Sequence, residues 1–215
     1  MKVKVCGITS AEDGEAALAL GADFLGLNLY SKSPRAVSVE TARMLCNTFP
    51  AGRRVFVDVN TGSEVLEDYG DLGFDKFQIH CAYETSLVTL AAWAGIVGRE
   101  NLWVAPKWPP GEPFPEGVLE FCDTVLIDAY AADKHGGTGR TADWGLFSEV
   151  ANRYPGCQFI LAGGLGPENL VEAVAASGAS MVDVNSGVET APGKKDREKL
   201  RELFGAVAGL DPARQ

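Results

Sequence analysis

The chain has 215 residues, 46% of them hydrophobic, and 19 Lys+Arg against 29 Asp+Glu give a net charge of −10. That length suits one domain, or two small ones, with a full hydrophobic core, and so acidic a chain is a poor partner for nucleic acid or an anionic membrane. The apolar stretch at 90–97 is far short of the ~20 residues a membrane span needs, and the opening MKVKVCGITSAED reaches acidic residues before a signal-peptide core could form, so a cytoplasmic protein is expected.

A β-rich run at 3–6 opens the chain, and Ser10 then precedes a helical stretch at 11–20. Asp13, three residues on, makes this close to a capping box, and Gly21 suits its C-terminal cap. A second run spans 24–30, and Ser38 opens a helix at 39–48. Runs at 55–59 and 76–80 follow, each before a plausible helix. The run at 102–107 leads into a proline-rich loop at 106–115 and a weak helical pattern at 113–121. After 124–128, Asp143 precedes a helix at 144–153. After 158–163, Pro167 suits the first position of a helix at 168–176. The run at 181–185 is the eighth. Strands alternating with helices predict βαβ units and a parallel sheet. Eight units without a linker predict an α/β fold, a single (β/α)8 barrel domain over 1–215, near the ~200-residue floor of that fold. An open doubly wound sheet is the alternative, weakened because the first run lacks GxGxxG.

Side chains alternate along a strand, so each run splits into two faces. Val3 and Val5 oppose Lys4 and Cys6. Leu25, Leu27 and Leu29 oppose Gly26 and Asn28. Val55, Val57 and Val59 oppose Phe56 and Asp58. Phe77 and Ile79 oppose Lys76, Gln78 and His80. Val125 and Ile127 oppose Leu126 and Asp128, and Val182 and Val184 oppose Met181, Asp183 and Asn185. One face is aliphatic, as helix cover requires; the other turns polar toward the strand's C-terminal end. Cys6, Asn28, Asp58, His80, Asp128 and Asp183 are therefore expected to ring one mouth, where active sites of this fold sit. Any one of them alone reads equally well as a strand cap.

Gly163-Gly164 and Ser186-Gly187 close the seventh and eighth runs. Loops at those two places often hold a phosphate on backbone N–H groups, which glycine lets approach closely. After the sixth run, His135-Gly136-Gly137-Thr138-Gly139-Arg140 reads as a loop closing over a ligand through Gly137 and Thr138, or as plain surface. Cys6 and Asp128 make a base and acid pair suited to proton transfer in a sugar isomerisation. Lys4, about 7 Å along the strand, favours the thiolate, and burial of Asp128 favours its acid form. Arg35 suits a bidentate grip on a carboxylate, or is a solvated surface arginine. His80 lacks a partner at metal-ligand spacing, so no metal site is expected. Five scattered cysteines, at 6, 46, 81, 122 and 157, form neither a disulfide framework nor a CxxC site.

Taken together these motifs resemble the phosphoribosylanthranilate isomerase family of tryptophan biosynthesis. The likeness runs through Lys4-Val5-Cys6-Gly7-Ile8-Thr9, Ser33-Pro34-Arg35, Gln78-Ile79-His80, Asp128, Gly136-Gly137-Thr138-Gly139, Asp143-Trp144, Ala162-Gly163-Gly164-Leu165, Asp183-Val184-Asn185-Ser186-Gly187-Val188-Glu189 and Pro192-Gly193-Lys194-Lys195-Asp196. The resemblance implies a cofactor-independent Amadori rearrangement of N-(5-phosphoribosyl)anthranilate to 1-(2-carboxyphenylamino)-1-deoxyribulose 5-phosphate by a monomer or homodimer. It implies Asp128 as general acid and Cys6 as general base, with Arg35 on the anthranilate carboxylate. Gly163, Gly164, Ser186 and Gly187 would cradle the phosphate, and Asp183 would meet the sugar hydroxyls. Asn28, Asp58 and Cys81 depart from the family pattern. An inward carboxylate at 58 would repel anthranilate, which keeps a different aminoribosyl substrate, or a noncatalytic phosphosugar-binding barrel, as alternatives.

Overall fold

A computed structural model describes residues 1–128 and 143–210. Eight parallel strands close on themselves in sequence order: β1 (Lys2–Cys6), β2 (Phe24–Asn28), β3 (Arg54–Val59), β4 (Lys76–Ala82), β5 (Leu102–Lys107), β6 (Thr124–Asp128), β7 (Gln158–Ala162) and β8 (Met181–Val184). β8 returns to β1 with Lys2 opposite Met181 and Lys4 opposite Asp183. The helices are α1 (Ala11–Ala19), α2 (Val39–Thr48), α3 (Ser63–Tyr69), α4 (Leu87–Val97), α5 (Trp144–Arg153), α6 (Leu170–Ser177) and α7 (Arg197–Leu210). The (β/α)8 barrel expected from the pattern is the architecture found. Between β5 and β6 the weak helical pattern becomes only a 3-10 segment, Glu116–Glu120. No helix among the described residues is long and apolar enough to cross a membrane.

Local signals explain several helix starts. The side chains of Ser10, Ser38 and Asp143 accept from the backbone N–H groups of Asp13, Thr41 and Leu146, satisfying donors that a helix start leaves open. Pro167 does not begin its helix. α6 starts at Leu170 with Asn169 before it. Asn169 Oδ1 takes the Gly166 N–H at 2.9 Å and its Nδ2 donates to the Gly164 carbonyl at 3.0 Å, so Pro167 sits in a tied turn instead.

Two apolar clusters follow from strand parity. Val3, Val5, Leu25, Leu27, Ile79 and Val125 pack under the helices. Val55, Val57, Trp103, Ala105, Leu126, Ile160 and Met181 fill the barrel, floored by an edge-on contact of Phe24 and Trp103 at 5.0 Å. This corrects one expectation. Val55 and Val57 point inward, and Phe56 packs beneath the helices. Asp58 shares the outward parity of Phe56, lies opposite Ile79, and accepts a hydrogen bond from Thr61 Oγ1 at 2.9 Å. It is not part of the mouth. β3 is apolar on both faces along most of its length, so polarity did not reveal which face was inner.

Candidate active site

The inward residues at the strands' C-terminal ends enclose a cavity of about 400 Å³. Cys6, Asn28, Gln78, His80, Asp128, Gly163, Gly164, Asp183 and Ser186 all line it. β1 brings Cys6, 5% exposed, above Lys4, which is fully buried and donates to Asp183 Oδ2 at 2.8 Å. The missing side chain of Gly26 makes room here, since a Cβ there would lie 2.8 Å from Cys6 Sγ and 3.1 Å from Lys4 Nζ. Burial pushes the Cys6 thiol up, and the nearby Lys4 charge opposes that rise. Burial works against the charge of Lys4, but Asp183 and Cys6 together more than offset it, so the ammonium is held.

Asp128 ends β6 at the cavity wall and is exposed, where burial had been expected. Two strands away, β4 aims Gln78 and His80 inward, with Gln78 Nε2 donating to His80 Nε2 at 2.8 Å. Burial first, then the Lys4 charge, lowers the His80 pKa to about 4, so the imidazole is neutral at pH 7. An unfolded histidine titrates near ~6.5, so between about 6.5 and 4 the unfolded chain takes up the proton first. Stability is therefore expected to fall as pH drops through that window, by up to about 3 kcal/mol. Denaturant unfolding of the protein and of His80→Asn at stepped pH checks this. An equal slope in both would refute it.

Two buried atoms on the cavity wall lack hydrogen bonds among the described residues: Asp183 Oδ1 and Gln78 Oε1. A buried acceptor left open is costly unless something fills it, and both belong to residues lining the cavity. Gln78 shares the inward face of β4 with His80, two residues on, and that parity is the sequence signal that points to it.

The loops after β7 and β8 meet backbone to backbone. Gly163 and Gly164 adopt φ of +100° and +63°, which favour glycine. Gly187 stands behind the wall, and a Cβ there would lie 2.2 Å from the Leu165 carbonyl oxygen. Gly187→Ala is expected to part the two loops, costing about 1–3 kcal/mol of stability and raising KM for a phosphorylated substrate several-fold. Thermal melts and steady-state kinetics check both; an unchanged KM refutes the placement.

Arg35 does not line the cavity wall. It stands beside Ser33 and Asn185, which do: its N–H donates to Ser33 Oγ at 3.1 Å, and a Cβ on Gly7 would touch both its Cδ and Asn185 Oδ1. Asn28 is bound up in the same loop, donating to Ser33 Oγ at 3.2 Å and accepting from the Tyr30 N–H at 2.9 Å. Its amide therefore shapes the Arg35 loop. Cys81 is buried in the outer cluster. Gly137 and Thr138, with the rest of 135–140, lie outside the described residues.

Comparison with known proteins decides the lineage. The family model for N-(5'phosphoribosyl)anthranilate (PRA) isomerase matches residues 3–206. The chain belongs to this isomerase family. A family member from Rubrobacter xylanophilus is 39% identical over 211 residues, 96% of this chain and 98% of the relative. Another, from Cellvibrio japonicus, is 36% identical over 209 residues, 95% and 92% of the two chains. The crystal structure of phosphoribosyl anthranilate isomerase from Thermotoga maritima superposes with a TM-score of 0.80 at 31% identity, covering 97% of this chain and 99% of that one. A further isomerase structure, in complex with reduced 1-(o-carboxyphenylamino)-1-deoxyribulose 5-phosphate, has a TM-score of 0.76 at 30% identity, with 97% and 99% coverage. Of the two departures from the family pattern, Asp58 faces out of the barrel, and Asn28 lines the cavity but is bonded within its own loop.

Proposed function

We propose that Cys6 and Asp128 carry the proton transfers of this enzyme. The chain is an isomerase of tryptophan biosynthesis catalysing the Amadori rearrangement of N-(5'-phosphoribosyl)anthranilate. The observation supporting the assignment is that Cys6 and Asp128 open onto one cavity whose rim includes the glycine loops after β7 and β8. An aminoribosyl phosphate anchored at those loops extends its sugar across the cavity between the two side chains.

Asp128, as general acid, gives its proton to the ribose ring oxygen as the C1–O bond breaks, leaving a protonated Schiff base between C1 and nitrogen. A substrate lying over Asp128 excludes water from this exposed carboxyl. The Cys6 thiolate then takes the C2 proton and the electron pair moves toward C1, giving an enolamine. Protonation at C1 and loss of the C2 hydroxyl proton yield the ketone. The Lys4 ammonium steadies the thiolate form while its own hydrogen bond goes to Asp183. Asp183 Oδ1 and Gln78 Oε1, both open acceptors, receive the sugar hydroxyls.

Backbone N–H groups of Gly163, Gly164, Ser186 and Gly187 hold the phosphate, Arg35 holds the anthranilate carboxylate, and Gly137 and Thr138 meet the substrate from the loop after β6. The five cysteines are unpaired, in keeping with a cytoplasmic enzyme. A steady-state fluorescence assay with phosphoribosylanthranilate tests the whole reading, and no turnover by the folded protein would sink it.

A further inference from the structure

The closing motif around Glu189 and Lys195 is prominent in the sequence and has no part in the steps above. After β8, a 3-10 turn (Ser186–Val188) leads into a two-stranded hairpin, β9 (Glu189–Ala191) and β10 (Lys194–Lys195). Glu189 is 7% exposed and grips one edge of Arg35. Arg35 Nε donates to Glu189 Oε1 at 2.9 Å and Oε2 at 3.1 Å, and Nη2 donates to Oε2 at 2.7 Å. The carboxylate is itself held. Lys195 Nζ donates to Oε1 at 2.9 Å and to Asn185 Oδ1 at 3.1 Å, and the Gly193 N–H reaches Oε1 at 3.2 Å. Burial opposes the Glu189 charge, but Arg35 and Lys195 hold the carboxyl below its ordinary value.

Two cations share this one carboxylate, so the cluster keeps a net positive charge inside a chain whose total is −10. Among the described residues Arg35 Nη1 makes no hydrogen bond. Glu189 occupies the Nε–Nη2 edge, and the Arg35 side chain keeps 19% of its surface exposed. Such an edge-held guanidinium has lost its rotamer freedom before a ligand arrives, so that cost is absent from binding.

We propose that Glu189, seated by Lys195, is a positioning residue that aims Arg35 at the carboxylate of the substrate's aromatic ring and so sets the preference for carboxylate-bearing substrates. This rests on the reading of Arg35 as that carboxylate's partner. Glu189 acts through Arg35 and touches no reacting atom.

Inhibition constants for two ligands test it: reduced 1-(o-carboxyphenylamino)-1-deoxyribulose 5-phosphate, and the phenylamino analogue lacking the ring carboxyl. In Glu189→Gln the first is expected to weaken tenfold or more, while the second changes less than twofold. Equal weakening of both, no change, or tighter binding of the carboxylate ligand overturns the proposal. Arg35→Met tests the underlying reading: there the preference for the carboxylate is expected to vanish. Preference retained in Arg35→Met overturns that reading and the proposal together. Preference lost in Arg35→Met but kept in Glu189→Gln overturns the positioning role alone. Should Glu189→Gln not fold with Lys195 left unbalanced, Glu189→Gln paired with Lys195→Met restores the charge count, and the same selective loss is expected.

Discussion

Cys6→Ala is expected to lower kcat by about 10²–10⁴-fold, the range a positioned general base contributes, while the protein stays folded and still binds the reduced product analogue. The side chain fills little space, and what it supplies is a basic sulfur beside Lys4. Steady-state kinetics with a thermal melt decide it: a variant turning over at more than a tenth of the parent rate places the base elsewhere. The same thiol sets a sign for pH. Burial pushes its pKa upward more than Lys4 draws it down, and the base works only as thiolate. The limb of kcat/KM governed by Cys6 therefore rises with pH and lies on the alkaline side of the ordinary thiol value. A limb below neutrality would mean that the Lys4 charge outweighs burial.

Asp128→Asn is expected to cost a similar factor, about 10²–10⁴ in kcat, for a different reason. An amide keeps the shape at the end of β6 but has no acid proton for the ring oxygen. The two variants separate by isotope. With deuterium at C2, the Cys6→Ala reaction should show a full primary isotope effect, because C2–H cleavage limits it. In Asp128→Asn ring opening becomes limiting and the effect should shrink toward unity. A full effect in both variants would show that Asp128 does not act before the C2 step.

Much of this was legible in the chain because hydrophobic alternation and caps are local. The inward parity of Lys4, Cys6, Asn28, His80, Asp128 and Asp183 needed only that each strand have one aliphatic and one mixed face. β3 broke the rule. With Val55, Phe56 and Val57 all buried, only its register against β4 reveals that Val57 and Val59 accompany Gln78 and His80 inward, leaving Asp58 outside. The start of α6 was missed for a related reason: Pro167 is permitted at a helix start but does not compel one, and Asn169's bonds to Gly164 and Gly166 decide where the turn ends. Arg35's engagement with Glu189 is a contact across 154 residues, and no local pattern announces such a pair.

The closure of β8 on β1 has a consequence for the order in which the site comes into being. Lys4 meets Asp183, Arg35 meets Glu189, and Thr9 meets Gly193, each pair separated by more than 150 residues. The Lys195 N–H closes the seam on Asp13 at 3.0 Å. At ~5–20 residues per second, the ribosome makes Cys6 roughly 10–40 s before Lys195. Throughout that interval the nascent chain holds a thiol, a lysine and an arginine without the residues that surround them in the finished barrel. The catalytic cleft is thus a late product of synthesis, completed only when the last quarter of the chain arrives to meet the first.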